Sequence, residues 1–244
     1  MTKIWFDEDI ASTYDDESHE RFAPALLDVT TAFLAGLAGS GQALELAVGT
    51  GRVALPLAAR GVPVSGIELS PAMLARLRAK PGGDDIDAVE GDMTTARVPG
   101  EFSLVYLVYN TITNVTTQEG QVAVFENAAR HLAPGGRFVI EVYLPILRLL
   151  PPGVRLHVFT DEPTYHAYDE YADAASQLQW SHHVRLRSDG TYRRVSMPFR
   201  YVWPAELDLM ARIAGLRVVE RWQDWERTPF TESSMQHVSV WQKP

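Results

Sequence analysis

Three features of this chain predict a doubly wound α/β fold with a mainly parallel sheet. Apolar strand-like runs alternate with helix-like segments from Ala43 to Tyr143, the pattern of parallel strands joined by right-handed helical crossovers. Two of the runs, Ala43 to Val48 and Phe102 to Tyr109, are almost wholly apolar, as strands covered on both faces are. The first runs into the glycines Gly49 and Gly51, whose missing Cβ atoms permit a tight strand-to-helix turn and let a ligand lie against the backbone amides.

The elements follow in order. Trp5 to Glu20 is an irregular acidic start, and Phe22, Leu26, Leu27, Val29, Phe33 and Leu37 then give an amphipathic helix ending at Gly39-Ser40-Gly41. Residues 1–40 therefore read as a helical cap ahead of the sheet. After the first strand, Val53, Leu55, Leu57 and Ala58 predict a helix closing at Gly61, with Pro56 tolerated in its first turns. Val62 to Leu69 is the second strand, and Ser70-Pro71 starts the next helix as N-cap and first-turn proline, with Met73, Leu74 and Leu77 on its buried face. Ile86 to Glu90 is a short third strand, and Phe102 to Tyr109 is the fourth. A helix from Gln118 to Leu132 is halted by Ala133-Pro134-Gly135-Gly136 before a fifth strand, Arg137 to Tyr143. Residues 41–145 form the ligand-binding core on this reading. From 154 to 201 alternation and the Ser188-Asp189-Gly190-Thr191 turn predict antiparallel hairpins over the pocket mouth. Residues 204–244 close the fold with a helix, Pro204 to Ala214, and strands at Leu216 to Trp225 and His237 to Trp241.

Composition narrows the function. Hydrophobic residues make up 46% and charged residues 22%, ordinary globular usage for one domain of this length. A net charge of −9 disfavours binding to a phosphate backbone, so no nucleic-acid partner is expected. The absence of cysteine excludes disulfides and thiolate ligands and fits a reducing, cytoplasmic setting. The acidic N-terminus does not resemble a signal peptide, and no apolar run is long enough to span a bilayer. No spacing of residues suggests a metal site.

Glu45 is the odd residue of the first strand. A carboxylate inside a buried strand is costly unless paired, and beside a glycine turn it favours a cationic ligand over a pyrophosphate. Glu68 ends the second strand, where a carboxylate accepts hydrogen bonds from two ribose hydroxyls. Glu90-Gly91-Asp92-Met93 follows the third strand, where Asp92 is suited to accept from an adenine amino group and the Met93 amide to donate to a ring nitrogen. Together with the glycine break before the fifth strand and the closing strand pair, these segments resemble the class I S-adenosylmethionine-dependent methyltransferases. The resemblance holds at matching places from about residue 43 to 143, and more loosely to the end. It implies a Rossmann-like seven-stranded sheet, mostly parallel with the last strand antiparallel, and S-adenosyl-L-methionine as cofactor. Cofactor contact falls by this resemblance to Glu45, Ala47, Gly49, Thr50, Gly51, Glu68, Leu69, Met73, Gly91, Asp92, Met93, Tyr109 and Asn110. Tyr14 and Arg21 are implied on a segment closing over the cofactor, Arg21 able to pair with its carboxylate. The layout is most similar to small-molecule N- and O-methyltransferases, so the implied partner is a small organic methyl acceptor. Tyr109-Asn110-Thr111-Ile112 stands where an Asn-Pro-Pro-Tyr type run would mark methylation of base amino groups.

Methyl transfer needs mainly in-line positioning, exclusion of water and loss of a proton from the acceptor. Candidate bases are His166, His182 and His183, with Tyr109, Asn110 and Tyr143 as positioning groups. His182 and His183 are strand neighbours and face opposite ways, so at most one reaches the pocket, and a solvated surface position is the default for each. Tyr165, Tyr168, Tyr171, Trp180, Tyr201 and Trp203 either line an acceptor pocket or pack in the core. Two other functions fit parts of the pattern. Gly49-Thr50-Gly51-Arg52-Val53-Ala54 with Glu68 also satisfies a loose dinucleotide fingerprint, as in an NAD-dependent oxidoreductase, and a non-catalytic cofactor-binding module would keep the same fold.

Overall fold

The computed structural model describes residues 5–12, 14–15, 22–187 and 189–244. Eleven strands and six α-helices are arranged there as a seven-stranded sheet flanked by helices and a separate four-stranded sheet. The large sheet takes β1 (Ala43–Leu46), β2 (Val64–Glu68), β3 (Asp87–Glu90), β4 (Phe102–Leu107), β5 (Leu132–Tyr143), β10 (Arg217–Trp222) and β11 (Gln236–Gln242) in the order β10-β11-β5-β4-β1-β2-β3. The first five strands pair in parallel, and β11 lies antiparallel to both β5 and β10.

Period-two alternation divides the core between the two faces of this sheet. Leu44, Leu46, Val105, Leu107, Phe138 and Ile140 point to one face, where they pack with Phe125 of α5 (Gln118–His131) and Leu207 and Met210 of α6 (Pro204–Ile213). Ala43, Leu104, Tyr106, Val139 and Val240 point to the other face. They meet Leu34 of α2 (Pro24–Ala38), Leu57 of α3 (Ala54–Ala59) and Leu74 and Leu77 of α4 (Pro71–Arg78). The predicted start of α4 is observed: Ser70 Oγ accepts from the Met73 amide at 3.2 Å, with Pro71 in the first turn.

Two local readings are corrected. The acidic start is not wholly irregular, because Asp7 Oδ1 accepts from the Ile10 amide at 3.1 Å and caps a one-turn helix, α1 (Glu8–Ala11). The fifth strand begins at Leu132 rather than Arg137, so Pro134-Gly135-Gly136 lies within it and shifts its register against β4 between Phe102 and Leu104. The chain end supports this bulge: Gly135 donates to the Lys243 carbonyl at 3.0 Å, and Lys243 Nζ reaches the Ala129 and Leu132 carbonyls at the end of α5.

Residues 156–200 form an antiparallel meander of β6 (Leu156–Glu162), β7 (Tyr165–Asp173), β8 (Leu178–Leu186) and β9 (Tyr192–Arg200). One buried cation fastens it to the core. Arg200, 5% exposed, pairs with Glu206 of α6 at 2.6 Å and donates to Gln121 of α5 at 2.5 Å and to Gln177 at 3.1 Å. Gln121 returns a bond to the Arg200 carbonyl at 3.1 Å.

Removing one partner of a buried ion pair leaves the other charge uncompensated, at about 3 kcal/mol or more. Glu206→Ala should therefore lower the free energy of unfolding by about 3 kcal/mol in urea titrations. A loss below about 1 kcal/mol would show that solvent readily takes over the guanidinium of Arg200.

Candidate active site

Chain order reverses between β1 and β4, which opens a crevice at the carboxyl ends of the strands, the ligand position in open α/β sheets. Two buried acids, Glu45 and Glu68, and the half-buried Glu141 sit at that edge, and each is satisfied by a different part of the crevice wall. Glu45 stands opposite Tyr106 and Gly66 in the strand register, and Tyr106 Oη donates to its carboxylate at 2.9 Å. Glu68 accepts from the Gly49 amide at 2.9 Å and the Ser70 amide at 2.8 Å. Glu141 of β5 accepts from the Tyr109 amide and from Trp225 Nε1, both at 2.8 Å.

Burial is the largest influence on all three. It pushes Glu45 from its ordinary value of 4.5 up to about 8, against opposing pulls from the Tyr106 hydroxyl and the Arg52 charge. Desolvation likewise raises Glu68, opposed by its amide donors, and Glu141, opposed by Trp225 and Arg52. The loops these acids hold are bent into the left-handed region at non-glycine residues: Ala47 at φ 56°, Tyr109 at 56° and Asn110 at 59°. Such strain persists where surrounding bonds over-determine the backbone, and it gathers at ligand clamps.

The glycines divide the work. A Cβ on Gly49 would meet only the Ala47 carbonyl, at 4.0 Å, so this glycine opens a cradle at the crevice. A Cβ on Gly51 would strike Leu77 Cδ1 at 2.4 Å. Its smallness admits α4, so Gly51 faces packed side chains and not the cradle. Thr50 is 1% exposed, and its hydroxyl donates to Asp15 at 2.6 Å. Asp15 also pairs with Lys80 at 2.6 Å, while Ser70 Oγ donates to the Phe6 carbonyl at 2.5 Å. The segment from Phe6 to Asp15 is thereby strapped over the glycine turn, bringing Tyr14 to the crevice; Arg21 lies outside the described residues.

At the β3 end, the Gly91 amide donates to the Glu68 carbonyl at 2.8 Å, and Asp92 Oδ1 accepts from the Thr94 amide and hydroxyl. Asn127 holds the Met93 carbonyl at 2.9 Å. Met73 is 3% exposed below half-buried Leu69. Glu45, Glu68 and Asp92 thus share one edge of three adjacent strands beside an open glycine cradle, a donor and acceptor set that fits an adenosyl cofactor carrying a cationic centre.

Beyond Tyr109 and Asn110 the crevice widens into a cavity of about 630 Å³, within the range of small-molecule sites. Its walls come from the strap (Phe6, Asp9, Ile10, Tyr14), the ends of β4 and β5 (Tyr109, Asn110, Tyr143) and the inner face of the meander. Of the aromatic candidates, Tyr165, Tyr171 and Tyr201 line it, and Tyr168, Trp180 and Trp203 do not. The histidines separate in the same way. His183 is on the wall, half-buried, with Nδ1 2.7 Å from Tyr165 Oη. His182 faces the opposite side, only 5% exposed and bonded to Ser196 and Arg194, because neighbours on a strand alternate. It is neither solvated nor in the cavity. His166 pairs with Asp161 at 2.7 Å outside the cavity. Sequence reasoning missed Glu141, and also His157 and Asp169 on the cavity wall. His157, Asp169 and Ser181 are cross-strand neighbours, so the register of β6 to β8 was the signal needed to group them.

The crevice at the switch point, the open glycine turn and the neighbouring cavity are features of a nucleotide-binding α/β fold with a second pocket beside the strand edge. A family model described as a methyltransferase domain matches residues 43–136. The CcbJ methyltransferase from Streptomyces caelestis is 35% identical, with 98% of each chain covered and a TM-score of 0.86. The cypemycin N-terminal methyltransferase of a Streptomyces species is 29% identical over 81% of each protein. CalS10 from Micromonospora echinaspora, an amino pentose methyltransferase solved with S-adenosylmethionine bound, is 21% identical and aligns over the full length of both chains at a TM-score of 0.70. The chain belongs to the S-adenosylmethionine-dependent methyltransferases. Nothing in these likenesses supports the oxidoreductase reading.

Two predictions concern the buried acids. Because Glu45 keeps its proton in the folded state up to about 8 and releases it near 4.5 when unfolded, its contribution is complete below 4.5 and lost as pH rises through about 8. Between pH 5 and 9 the melting temperature of the wild type should therefore fall more steeply than that of Glu45→Gln. Parallel curves would refute a buried, proton-holding Glu45. Glu68→Ala strips acceptors from two amides, at about 1–3 kcal/mol for each left unsatisfied. It should lower stability in urea titrations as well as weaken S-adenosylhomocysteine binding, whereas a ribose ligand alone would affect only binding.

Proposed function

We propose that this chain transfers the methyl group of S-adenosylmethionine to a nitrogen or oxygen atom of a small organic acceptor held in the cavity. The observation that carries the reading is the cavity itself. It is lined on one side by Tyr109 and Asn110, which follow β4, and on the others by residues of the meander and the strap. A cavity of about 630 Å³ is of the size that holds a small molecule. Relatives named for a peptide N-terminus and an amino pentose support nitrogen as the receiving atom. The acidic net charge of −9 supports an acceptor other than nucleic acid.

S-adenosylmethionine supplies an already electrophilic methyl on sulfur. The protein's own contribution is placement and exclusion of water. The Gly49 cradle, held by Glu68, and the Tyr109 turn, held by Glu141, define the cofactor side. Phe6, Ile10, Phe159 and Phe199 provide apolar surface that holds an acceptor away from bulk water. Attack by the acceptor's lone pair forms the bond to the methyl carbon while the carbon–sulfur pair returns to sulfur, so the acceptor must also surrender a proton. No described helix is long and apolar enough to cross a membrane.

Isothermal calorimetry with S-adenosylhomocysteine should give one site per chain, and incubation with S-adenosylmethionine and a panel of aliphatic amines and alcohols should release S-adenosylhomocysteine. Binding without release from any acceptor would favour a non-catalytic module of the same fold.

A further inference from the structure

The meander places a chain of polar side chains along the acceptor wall that the cofactor edge does not use. Alternation along β7 and β8 turns Tyr165, Asp169, Ser181 and His183 toward the cavity. Asp169 and Ser181 face one another across the strands, and Ser181 is among the groups that favour the Asp169 carboxylate. Ser181 Oγ is 3.3 Å from His183 Nε2, and His183 Nδ1 is 2.7 Å from Tyr165 Oη. The guanidinium carbon of Arg185 lies 3.6 Å from the centre of the Tyr165 ring. A tyrosine hydroxyl thus connects, through an imidazole and a serine, to a carboxylate.

We infer that Tyr165, His183, Ser181 and Asp169 form a proton relay that accepts the proton released by the acceptor's N–H or O–H group during methylation. The inference rests on the acceptor occupying this cavity, as proposed above. Its direction follows from donor and acceptor inventory. With the Ser181 hydroxyl turned toward Asp169, its partner across the strands, the 3.3 Å contact to His183 calls for a proton on Nε2. A neutral imidazole protonated there leaves Nδ1 bare, and Nδ1 then accepts from the Tyr165 hydroxyl. When the acceptor's proton passes to the Tyr165 oxygen, the phenolic proton passes to Nδ1. The ring becomes an imidazolium, and Asp169 offsets its charge through Ser181. No electrons leave the acceptor; its freed lone pair forms the bond to the methyl carbon, and the imidazolium later releases its proton to water.

Charges around the relay are distributed to suit this path. Arg185 favours negative charge developing on the Tyr165 oxygen. His157 of β6 pairs with Asp169 in the register, and its Nδ1 is buried with no hydrogen-bond partner. From β9 and the strap come Arg193 and Asp9, which pair with each other at 3.0 Å. Burial raises Asp169, while Ser181, His157 and His182 pull it back toward the carboxylate form. Tyr165 is the residue that meets the acceptor; Ser181 and Asp169 act through His183 and are positioning residues.

Nitrogen-detected imidazole NMR of the full chain tests the relay without an identified acceptor. His183 should show a proton on Nε2 and a bare Nδ1, and Asp169→Asn should lower its titration midpoint by about one pH unit. A proton on Nδ1, or a midpoint that Asp169→Asn leaves in place, would overturn the proposal. With the most reactive member of the amine and alcohol panel, Tyr165→Phe should reduce kcat about 100-fold while changing the KM for S-adenosylmethionine less than about twofold. Retained S-adenosylhomocysteine binding by that variant identifies it as folded. Asp169→Asn and Ser181→Ala should move the acidic limb of the kcat profile to lower pH, a shift that a purely structural role does not produce. Wild-type kcat and an unchanged profile in Tyr165→Phe would also overturn the relay. If the wild type released no S-adenosylhomocysteine from any acceptor, the proposed function would fail, and the His183 tautomer would still decide the relay.

Discussion

Carboxyl groups withdrawn from water must find hydrogen-bond donors, and much of the shape of this crevice follows from how buried Glu45 and Glu68 and half-buried Glu141 do so. Glu45, Glu68 and Glu141 occupy the carboxyl edge of the sheet, where the strand order reverses and loops must diverge. Each recruits a donor from a loop or strand that borders the cleft: the Tyr106 hydroxyl, the Gly49 and Ser70 amides, and the Tyr109 amide with Trp225. An unpaired carboxylate in such a place is costly, so the loops are drawn into the conformations that satisfy them. The left-handed backbone at Ala47, Tyr109 and Asn110 is the visible cost of that arrangement, and the open Gly49 cradle is its result.

The same acids link stability to chemistry. Burial raises all three, and it takes Glu45 to about 8, so the folded protein holds that proton well above the pH at which the unfolded chain releases it. Across the cleft the meander is arranged differently: its polar groups are strung along a cavity wall at cross-strand spacing, Tyr165, His183 and Ser181 in contact with one another. The strap from Phe6 to Asp15 joins the two halves. Asp15 touches the glycine turn through Thr50, and Asp9 touches the meander through Arg193.

Much of the cofactor edge was legible in the residues because its signals are local. A glycine pair after an apolar strand, an acid at a strand end and Ser70-Pro71 before a helix each carry their physical reason within a few positions. Glu68 shows where this stops. Its place at the end of β2 was readable, but its two bonds to the Gly49 and Ser70 amides depend on how β1 and β2 align. Gly49 and Gly51 look equivalent in the chain, yet one borders empty space and the other Leu77. The bulge at Pro134-Gly135-Gly136 read as a helix stop because its partner, the Lys243 carbonyl, lies over a hundred positions away.

What the sequence by itself determined is the alternation of strands and helices, the cofactor edge and, through its resemblance, the class of reaction, since these depend on short-range pattern and residue type. The tertiary structure decided which histidine faces the cavity. His182 and His183 are indistinguishable as neighbours in a β-strand, and only the register of β7, β8 and β9 and the side of the meander turned toward the crevice put His183 beside Tyr165 and His182 among Ser196 and Arg194. Side-chain direction in a sheet reverses at every residue, so a one-position shift in pairing would exchange them, and that pairing is set by contacts between distant strands.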